Sequence, residues 1–431
     1  MLLHKYIKNN GAVEIARTIE HAADEGLLAA GAKLPTVREL AKAKGISPTT
    51  IAAAYRMLRE RGVVVARGRA GTFLRTSEVL APRVAAALPT DVRDLRNGNP
   101  DPRLLPNLSR ALAAVPHTSR LYEEQLEEPE LLALAQADFA NDGIAADNLA
   151  VTSGALDAID RVLAAHLRPG DRVLVEDPSF PNVIDLVAAL GLVAVPVAID
   201  ESSFEVEALT AALTAGARAI IITPRAQNPT GAALDEQRAR VLRRVLRTAP
   251  DLLIIEDDHA ARVAGVKACT LVEKNRRNWA VIRSVAKALG PDLRVAVTAG
   301  DAQTISRVRS RQRAGMRWVS GILQKMVVSL WTDPTVVRGL VRAEKTYALR
   351  RKALIDALAE HGIQASGRSG MNVWIPVREE AEPIAALQAR GWAVAAGERF
   401  RIRTGPGLRV TVATLEVAEA PHLAKDIAAV V

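Results

Sequence analysis

The sequence predicts a small helical unit with a β-hairpin, followed by a large α/β domain built on a mostly parallel sheet. The first 75 residues contain three short helical patterns and two short apolar strands. From about residue 104, fully apolar strands alternate with helical patterns, which indicates a mostly parallel sheet with helices on both faces. The length of 431 residues is long for one domain and predicts two or three.

The composition is that of an ordinary globular protein, with 49% hydrophobic and 24% charged residues. The single cysteine, Cys269, excludes an internal disulfide framework and fits a reducing cytosol; it has no metal-like neighbours, so no metal site is predicted. No apolar run reaches the roughly 18 residues of a membrane-spanning helix, and the N-terminus lacks a signal-peptide pattern. We therefore expect a soluble, cytoplasmic protein with no membrane partner.

The positive charge is concentrated at the N-terminus. Residues 1–75 hold 13 lysines and arginines against 6 aspartates and glutamates, a net charge of +7 out of +9 for the whole chain. Such an uneven distribution is typical of nucleic-acid binding, although a basic segment can also serve solubility alone. A DNA-binding motif is needed to decide between the two.

The first two helices of the N-terminal unit are predicted from their apolar patterns and ends. Residues 13–25 have the apolar spacing of the first helix. The second opens with Thr36-Val-Arg-Glu39, a capping box in which Thr36 caps the helix and Glu39 reaches back to it. Gly45 ends this helix.

The third helix and the hairpin complete a winged helix-turn-helix. The helix begins with Ser47 as N-cap and Pro48 at its first position, and strands at residues 63–65 and 72–74 flank a basic, glycine-rich tip. Two helices joined by a short turn and followed by such a wing place the start of the third helix in the major groove. The predicted DNA-contacting residues are Arg38, Ser47, Thr49, Thr50, Arg67, Arg69 and Gly71.

Residues 76–93 are predicted to be a linker, because they mix alanine, proline and charge without a clear period. The large domain is therefore predicted to span residues 94–431. It starts with a turn-rich run at residues 94–102 that is typical of a positioned loop rather than a spacer.

The large domain is predicted to contain six strands and a smaller α+β part. Two long helical stretches are expected after residue 301, the first to about residue 333 and the second to about residue 362. The smaller part contains Trp374 and a strand at residues 408–412. The strands are predicted at residues 149–152, 172–176, 217–223, 252–257, 281–284 and 293–298.

The stretch around Lys287 carries the main candidate chemistry. An apolar strand delivers Ser284 and then Lys287 into a Gly-Pro turn, and Arg294 follows seven residues after the lysine. A hydroxyl and a guanidinium can hold a phosphate, and a lysine can form a Schiff base with an aldehyde on the same molecule. This combination indicates pyridoxal 5′-phosphate, although a lone lysine at a strand end is more often only a solvated surface residue.

Other strand ends supply further contacts for such a cofactor. Ser153-Gly154-Ala155 opens a helix whose free N–H groups can take a phosphate. Phe180 can stack on a flat ring, Asn228 can hydrogen-bond a phenolic oxygen, and Asp257 can pair with a protonated ring nitrogen. Each has a structural alternative: a plain turn, a core residue, a turn former and a helix cap, respectively. Their joint order along the chain argues against coincidence.

The two parts of the chain resemble two known families. The pattern L-P-T-V-R-E-L-A…G-I-S…T-I-A-A-A-Y…G-R-A-G-T-F-L is similar to the GntR family of bacterial regulators. The strand-end residues are similar to those of fold-type I aminotransferases. Joined, the two parts resemble the MocR type of regulator, and this covers nearly the whole chain.

The resemblance implies specific roles. Lys287 matches the lysine that binds pyridoxal phosphate, Ser284 and Arg294 match phosphate contacts, and Phe180, Asn228 and Asp257 match ring contacts. Arg409 matches the arginine that receives a substrate or effector carboxylate, although it can also be an ordinary strand-edge arginine. The family implies an operator in double-stranded DNA, a small-molecule effector (pyridoxal phosphate, another B6 vitamer or an amino acid) and a head-to-tail homodimer.

Within the family, residues 98–102, 152–160, 224–231 and 256–259 are most similar to the PtsJ branch, which implies control of pyridoxal kinase and vitamin B6 salvage. Two departures stand out. His259 replaces the usual tyrosine two residues after the ring aspartate, and it is expected to titrate near neutral pH and make the cofactor spectrum pH-dependent. Ala286 replaces a common serine before the lysine.

Three functions are compatible with these residues. The first is a transcription regulator that senses pyridoxal phosphate or an amine or amino acid that reacts with it. The second is an active aminotransferase with an attached DNA-binding module, and the third is a scaffold that never binds cofactor. The absent tyrosine argues against efficient turnover and the intact Lys287 argues against the scaffold, so the sequence favours the regulator.

Overall fold

The computed structural model describes residues 7, 11–25, 27–29, 31–60, 63–66, 71–74, 88–115, 121–122 and 126–431. The chain forms two compact units. The first holds residues 1–85 with 167–172 and 185–193, and the second holds the remainder. In the described part of the chain, no helix is both long enough and apolar enough to cross a membrane.

The N-terminal unit contains the three helices and the hairpin that the sequence predicts. Its core is formed by buried side chains from all three helices, among them Ile15, Ile19, Leu40, Ile51 and Leu58. The two strands are antiparallel. The elements are α1 (Ala12–Asp24), α2 (Val37–Lys44), α3 (Pro48–Glu60), β1 (Val64–Ala66) and β2 (Thr72–Leu74).

The capping box of α2 is confirmed. The Glu39 N–H donates to Thr36 Oγ1 at 3.2 Å, and the Thr36 N–H donates to Glu39 Oε2 at 2.8 Å. Gly45 ends the helix with φ 65°, a left-handed conformation that favours glycine. At the start of α3 the Thr50 N–H donates to Ser47 Oγ at 3.1 Å, as expected of an N-cap.

The second unit is built around an eight-stranded sheet in the order β4-β11-β10-β9-β8-β5-β6-β7. Strand β5 pairs in parallel with β8, β8 with β9, and β9 with β10. Strand β11 is antiparallel to both β10 and β4. The eight strands are β4 (Leu149–Thr152), β5 (Arg172–Asp177), β6 (Val193–Asp200), β7 (Ser203–Phe204), β8 (Ala219–Ile222), β9 (Leu253–Asp258), β10 (Trp279–Ser284) and β11 (Ala296–Gly300).

A smaller part with its own core completes the unit. Strands β12, β15 and β14 form an antiparallel sheet, and β13 pairs in parallel with β3 near the start of the unit. These strands are β3 (Arg93–Asp94), β12 (Asn372–Pro376), β13 (Trp392–Ala393), β14 (Ala395–Ala396) and β15 (Gly407–Thr411).

Helices cover the large sheet and one face of the small one. Between them lie short 3-10 turns, of which residues 102–104 and 291–293 adjoin the site described below. The helices are α4 (Leu108–Ala114), α5 (Pro129–Asn141), α6 (Ala155–His166), α7 (Pro181–Ala189), α8 (Val206–Leu213), α9 (Glu236–Leu246), α10 (Ala286–Leu289), α11 (Ala302–Ala314), α12 (Gly321–Thr332), α13 (Pro334–Glu360), α14 (Ala381–Ala389) and α15 (Ala420–Ala428).

The structure corrects the element predictions at four places. Strands β6 and β7 of the large sheet and the short strands β3, β13 and β14 were not predicted. The first long helical stretch is two helices, α11 and α12, because the chain leaves the helical conformation at Gly315 (φ −118°, ψ −111°). Strand β11 begins at Ala296 rather than at residue 293, because residues 291–293 form a 3-10 turn and Arg294 has φ 46°. Residues 76–87 of the predicted linker lie outside the described residues, and its last residue, Arg93, begins β3.

Candidate functional site

Three strand ends meet at one edge of the large sheet. In the β10–β11 pair Ser284 lies opposite Ala296, and in the β11–β4 pair Ala296 lies opposite Thr152. The residues that follow β4 and the end of β10 are therefore brought to the same level, together with the turn that enters β11. This edge collects Ser153, Gly154, Ala155, Ser284 and Arg294.

Arg294 contacts the turn between β4 and α6 directly. Its Nη2 donates to the Ser153 carbonyl at 3.2 Å. Gly154 has φ +93°, and a Cβ placed there would lie only 2.7 Å from the same Nη2. Only glycine fits this close approach without displacing the guanidinium. The result is a partly buried turn lined by the exposed Arg294 guanidinium, which suits an anionic ligand.

Not every donor at this edge is available. The Ser153 N–H donates to Asp157 Oδ2 at 2.9 Å, so it is not one of the free helix N–H groups that the sequence suggested. Ser284 Oγ accepts the Ala286 N–H at 3.2 Å and keeps its own hydroxyl hydrogen for another acceptor. Arg294 and the Ser284 hydroxyl are therefore the donors best placed for a phosphate.

Lys287 lies in the short helix α10, directly after this edge. Its Nζ donates to the carbonyl oxygen of Gly98. Burial and the Arg409 guanidinium lower the pKa of Lys287 to about 8, and Asp257 opposes this shift. A lysine with such a pKa holds a larger neutral fraction near pH 7 than an exposed lysine does, and the neutral amine is the nucleophile.

Asp257 lies on β9 and is buried. Its Oδ1 has no hydrogen-bond partner among the described residues, and the cost of leaving such an oxygen unpaired inside a protein is high. Burial raises the pKa of Asp257 to about 7; the Asp258 carboxylate adds to this shift and Lys287 opposes it. A protonated ring nitrogen is a donor of the kind that this oxygen lacks.

His259 follows on the same strand end. Its Nδ1 lies 3.8 Å from Asp257 Oδ2, beyond hydrogen-bond distance. Burial, with a contribution from Lys287, lowers the pKa of His259 to about 4. The expectation that His259 titrates near neutral pH is therefore wrong for the ligand-free protein, because burial disfavours the imidazolium.

Arg409 and Asn228 form the other side of the site. Arg409 lies on β15, where its Nη1 donates to Asn228 Oδ1 at 3.1 Å and its Nη2 donates to the Arg96 carbonyl oxygen. Its guanidinium lies 4.8 Å from the centroid of the Phe400 ring, and its Nε is buried with no partner among the described residues. Burial lowers the pKa of Arg409 to about 10. In the described part of the chain no carboxylate hydrogen-bonds to Arg409, which leaves it able to receive one.

Phe180 is half-buried at the start of α7. Its neighbour Ser179 donates its N–H to the Phe400 carbonyl at 2.7 Å, which ties this turn to the residue that packs under Arg409. No described contact joins the Phe180 ring to Lys287 or Asp257, so its stacking role stays a prediction.

Several residues of this site carry no signal in the sequence. Gly98 and Arg96 contribute backbone carbonyls, and any residue type offers a carbonyl, so no side-chain pattern marks them. Phe400 lies in a 3-10 turn far along the chain and carries no motif. The turn-rich run at residues 94–102 is the available signal; it predicts a positioned loop and contributes to the family resemblance, but it does not indicate which carbonyls contact the site.

The predicted DNA-contacting residues of the first unit lie mainly on its surface. Arg38, Ser47 and Thr49 are exposed, and Thr50 is half-buried. Ser47 Oγ lies 2.7 Å from Thr49 Oγ1 and 2.8 Å from Thr50 Oγ1, which forms a group of three hydroxyls at the start of α3. Gly71 has φ +112°, which favours glycine. Arg67 and Arg69 lie outside the described residues.

Two family models match the chain. Residues 12–74 match the bacterial regulatory proteins of the gntR family, and residues 81–427 match aminotransferase class I and II. The vitamin B6 salvage pathway transcriptional repressor PtsJ of Salmonella typhimurium strain LT2 is 40% identical over 98% of this chain and 98% of its own length. The pyridoxine biosynthesis transcriptional regulator PdxR of Corynebacterium glutamicum is 26% identical over 57% of this chain and 55% of its own.

Solved structures share the fold of the second unit. The α-aminoadipate aminotransferase LysN of Thermus thermophilus, complexed with N-(5′-phosphopyridoxyl)-L-leucine, has a TM-score of 0.69 at 21% identity and covers 79% of this chain and 92% of its own. An archaeal alanine:glyoxylate aminotransferase has a TM-score of 0.70 at 22% identity and covers 78% and 90%. At these identities the likeness shows the fold alone.

Proposed function

This chain belongs to the GntR family of bacterial transcriptional regulators, in the MocR type that carries a class I and II aminotransferase domain, and we propose that pyridoxal 5′-phosphate bound in that domain controls its binding to DNA. The observation that carries the proposal is the buried Asp257 carboxylate, whose Oδ1 has no partner in the described residues and whose charge is coupled to Lys287. A cofactor with a protonated ring nitrogen and an aldehyde satisfies both groups.

The residues at hand fit such a cofactor group by group. Arg294 and the Ser284 hydroxyl would hold the phosphate at the turn beside Gly154, and Asp257 would pair with the ring nitrogen. Asn228 would donate its amide to the phenolic oxygen, and Lys287 would capture the aldehyde. Bound there, pyridoxal phosphate supplies an electrophilic carbonyl carbon for amines. His259, neutral near pH 7, would offer a hydrogen bond without adding charge.

Arg409 supports an effector with a carboxylate. It is buried and paired with neutral acceptors only in the described residues, so an incoming carboxylate would make a charge-assisted bond where none exists. We infer that the effector is pyridoxal phosphate itself or an amino acid that reacts with it. The PtsJ and PdxR relatives carry vitamin B6 pathways in their names, which supports B6 salvage genes, such as that of pyridoxal kinase, as targets.

The same three residues, Lys287, Asp257 and Arg409, favour aminotransferase turnover as a second function. The regulator is preferred because a hydroxyl-lined helix-turn-helix serves no purpose in a plain aminotransferase. The two functions differ in one observable. An active aminotransferase consumes amino acid and 2-oxo acid in many turnovers, whereas a sensor responds once per bound cofactor.

A homodimer is also proposed. Five large apolar side chains in the region of α4 and α12 are exposed, between 43% and 71%, and Tyr122 packs edge-on against Trp318 there at 5.6 Å. An exposed apolar group of this size is typical of an interface between protein chains. The five exposed apolar residues are Leu112, Leu121, Tyr122, Met316 and Ile322. A measurement of the molar mass in solution tests whether the chain is a dimer.

Titration of the protein with pyridoxal phosphate tests the cofactor proposal. The wild type should develop a visible absorbance band, and Lys287→Ala should not, because the covalent link to the lysine produces that band. Lys345→Ala, at an exposed lysine on α13, is the matched control and should behave as the wild type. Operator binding measured in the same samples should change with cofactor in the wild type. No band at any concentration of cofactor would contradict the proposal.

A further inference from the structure

One segment, residues 93–101, crosses the candidate site while held at both ends, and we call it the strap. At its first end the Arg93 N–H donates to the Gly391 carbonyl at 2.8 Å and the Leu95 N–H to the Ala393 carbonyl at 2.9 Å. The Leu95 carbonyl accepts the Thr411 N–H at 3.0 Å. These bonds join the strap to β13 and to the end of β15.

The second end of the strap is held by a buried aspartate. The Asp101 N–H donates to the Tyr347 hydroxyl at 3.0 Å, and Asp101 Oδ2 accepts from Arg350 Nη1 at 2.9 Å. Asp101 is only 1% exposed and Tyr347 is also buried, which indicates a firm anchor. The middle of the strap, residues 96–99, is exposed or half-buried.

The middle of the strap occupies two of the site's cationic groups, Lys287 and Arg409. The Arg96 carbonyl accepts from Arg409 Nη2, and the Gly98 carbonyl accepts from Lys287 Nζ. A Cβ at Gly98 would lie 3.8 Å from Arg409 Nη1 and 3.9 Å from Lys287 Nζ, so the strap backbone packs against both groups at once. One short segment therefore satisfies the two side chains that the proposed cofactor and carboxylate effector need.

We propose that the strap is a built-in competitor for ligands of this site, which cofactor and carboxylate effectors must displace, and that its displacement is the local event that reports occupancy. The proposal rests on the proposed function. A carboxylate on Arg409 would take the Nη2 that now donates to Arg96. An aldehyde captured by Lys287 would take the nitrogen that now donates to Gly98.

The position of the strap in the chain gives this competition a consequence. The strap begins with β3 and is, among the described residues of the second unit, the first segment along the chain that pairs with its sheets. A ligand changes an equilibrium only by binding one state better than another. A strap that closes the site without ligand and opens with it provides two such states.

Hydrogen–deuterium exchange of the full-length wild-type protein tests this directly. We expect the peptide covering residues 93–101 to exchange about threefold faster or more when pyridoxal phosphate binds, because a strap displaced from Lys287 and Arg409 holds its amide bonds at Arg93, Leu95 and Asp101 less firmly. Succinate, an unreactive carboxylate, should produce a smaller increase, since it displaces only the Arg96 carbonyl. The peptide covering β12 should not change.

The outcomes separate the two proposals. A visible cofactor band with unchanged exchange of the strap would overturn the competitor role and leave the cofactor proposal intact. The absence of any band would overturn the proposed function and, with it, this inference.

A variant that loosens the strap outside the site gives a second measurement. Tyr347→Phe keeps the ring in the core but removes the acceptor of the Asp101 N–H, so the strap should open more readily and cofactor should bind about two- to tenfold more tightly. Tyr55→Phe removes a matching hydroxyl, which donates to the Pro35 carbonyl at 2.8 Å in the DNA-binding unit, and cofactor affinity should not change. Equal or weaker binding by a folded Tyr347→Phe would contradict the competitor role. If that variant does not fold, the exchange experiment on the wild type decides.

Discussion

Asp257 and Asp258 are adjacent carboxylates whose surroundings drive their pKa values in opposite directions. Successive side chains of a strand point to opposite faces of the sheet, so the two meet different partners. Asp258 accepts two bonds from Arg225, at 2.7 and 2.8 Å, and one from Arg283 at 3.0 Å, and these partners keep its pKa below the usual range despite burial. Among the described residues Asp257 has no such partner, and burial raises its pKa to about 7. The unpaired member of the pair is the one that faces the candidate site.

The pKa of His259 gives a prediction at this scale. Because its folded-state pKa of about 4 lies below the ordinary value of 6.5, the unfolded chain binds a proton first as the pH falls, and stability is lost between pH 6.5 and 4. Between pH 7 and pH 5 the wild type should lose about 2 kcal/mol more unfolding free energy than His259→Gln. Urea unfolding of both proteins, followed by tryptophan fluorescence, measures this.

The same prediction has a spectroscopic side. A histidine that is neutral from pH 6 to 8 cannot cause a pH transition of the cofactor band in that range. Any such transition should therefore have the same midpoint pH in the wild type and in His259→Gln. A midpoint near pH 6.5 that disappears in His259→Gln would show that cofactor binding restores an ordinary histidine pKa.

At the scale of the element, helix α2 depends on its N-cap residue, Thr36. Four N–H groups at the start of a helix lack partners within the helix. At α2, the Thr36 side chain accepts the Glu39 N–H and the Glu39 side chain accepts the Thr36 N–H, so two of these groups are paired. The hydrogen bond from the Thr36 N–H also keeps the pKa of the Glu39 carboxyl below its usual value. Helix α2 precedes the helix that is predicted to enter the major groove, so the cap helps to define the helix-turn-helix itself.

Replacing the cap gives a prediction for this element. Thr36→Ala should destabilise α2 by about 1 kcal/mol, because the Glu39 N–H loses its acceptor. Native-state hydrogen exchange of the Leu40 and Ala41 amides should then be about fivefold faster. Thr36→Ser keeps the oxygen and should restore most of the protection; equal exchange in the alanine and serine variants would show that the cap contributes nothing.

At the scale of the whole molecule, most of the net positive charge lies in the N-terminal unit, which is also the unit that resembles a DNA-binding domain. The first 75 residues carry +7 of the net +9, and the remaining residues are nearly neutral. A basic unit attached to a nearly neutral one restricts attraction for the DNA backbone to one part of the molecule.

This division predicts a steep dependence of operator binding on salt. With roughly four phosphate contacts, affinity should fall on the order of a hundredfold between 50 and 200 mM salt. Arg38→Ala should reduce the slope of log K against log salt by about 1 if Arg38 contacts a phosphate. Fluorescence anisotropy on a labelled operator measures both, and a flat response would refute the assignment of DNA binding to the basic N-terminal unit.

Local patterns were enough to predict the N-terminal unit. The capping box at Thr36, the glycine stop at Gly45 and the N-cap at Ser47 each act within four residues, so the sequence places them directly, and all three are found. The same holds for the apolar strands that carry Ser284 and Asp257, since a buried parallel strand needs a continuous apolar run. Where the signal was weak, as in the half-buried β6, the strand was missed.

The sequence by itself determined the family resemblance, both fold classes and which side chains stand at the strand ends, because these depend on residue type and short-range order. Only the tertiary structure decided how those side chains meet. It set the pKa of His259 through burial, left Asp257 Oδ1 without a partner among the residues that the structure describes, and placed the carbonyls of Arg96 and Gly98 on Arg409 and Lys287. The reason is physical: burial and backbone contacts arise between segments far apart in the chain, and a carbonyl carries no sequence signature.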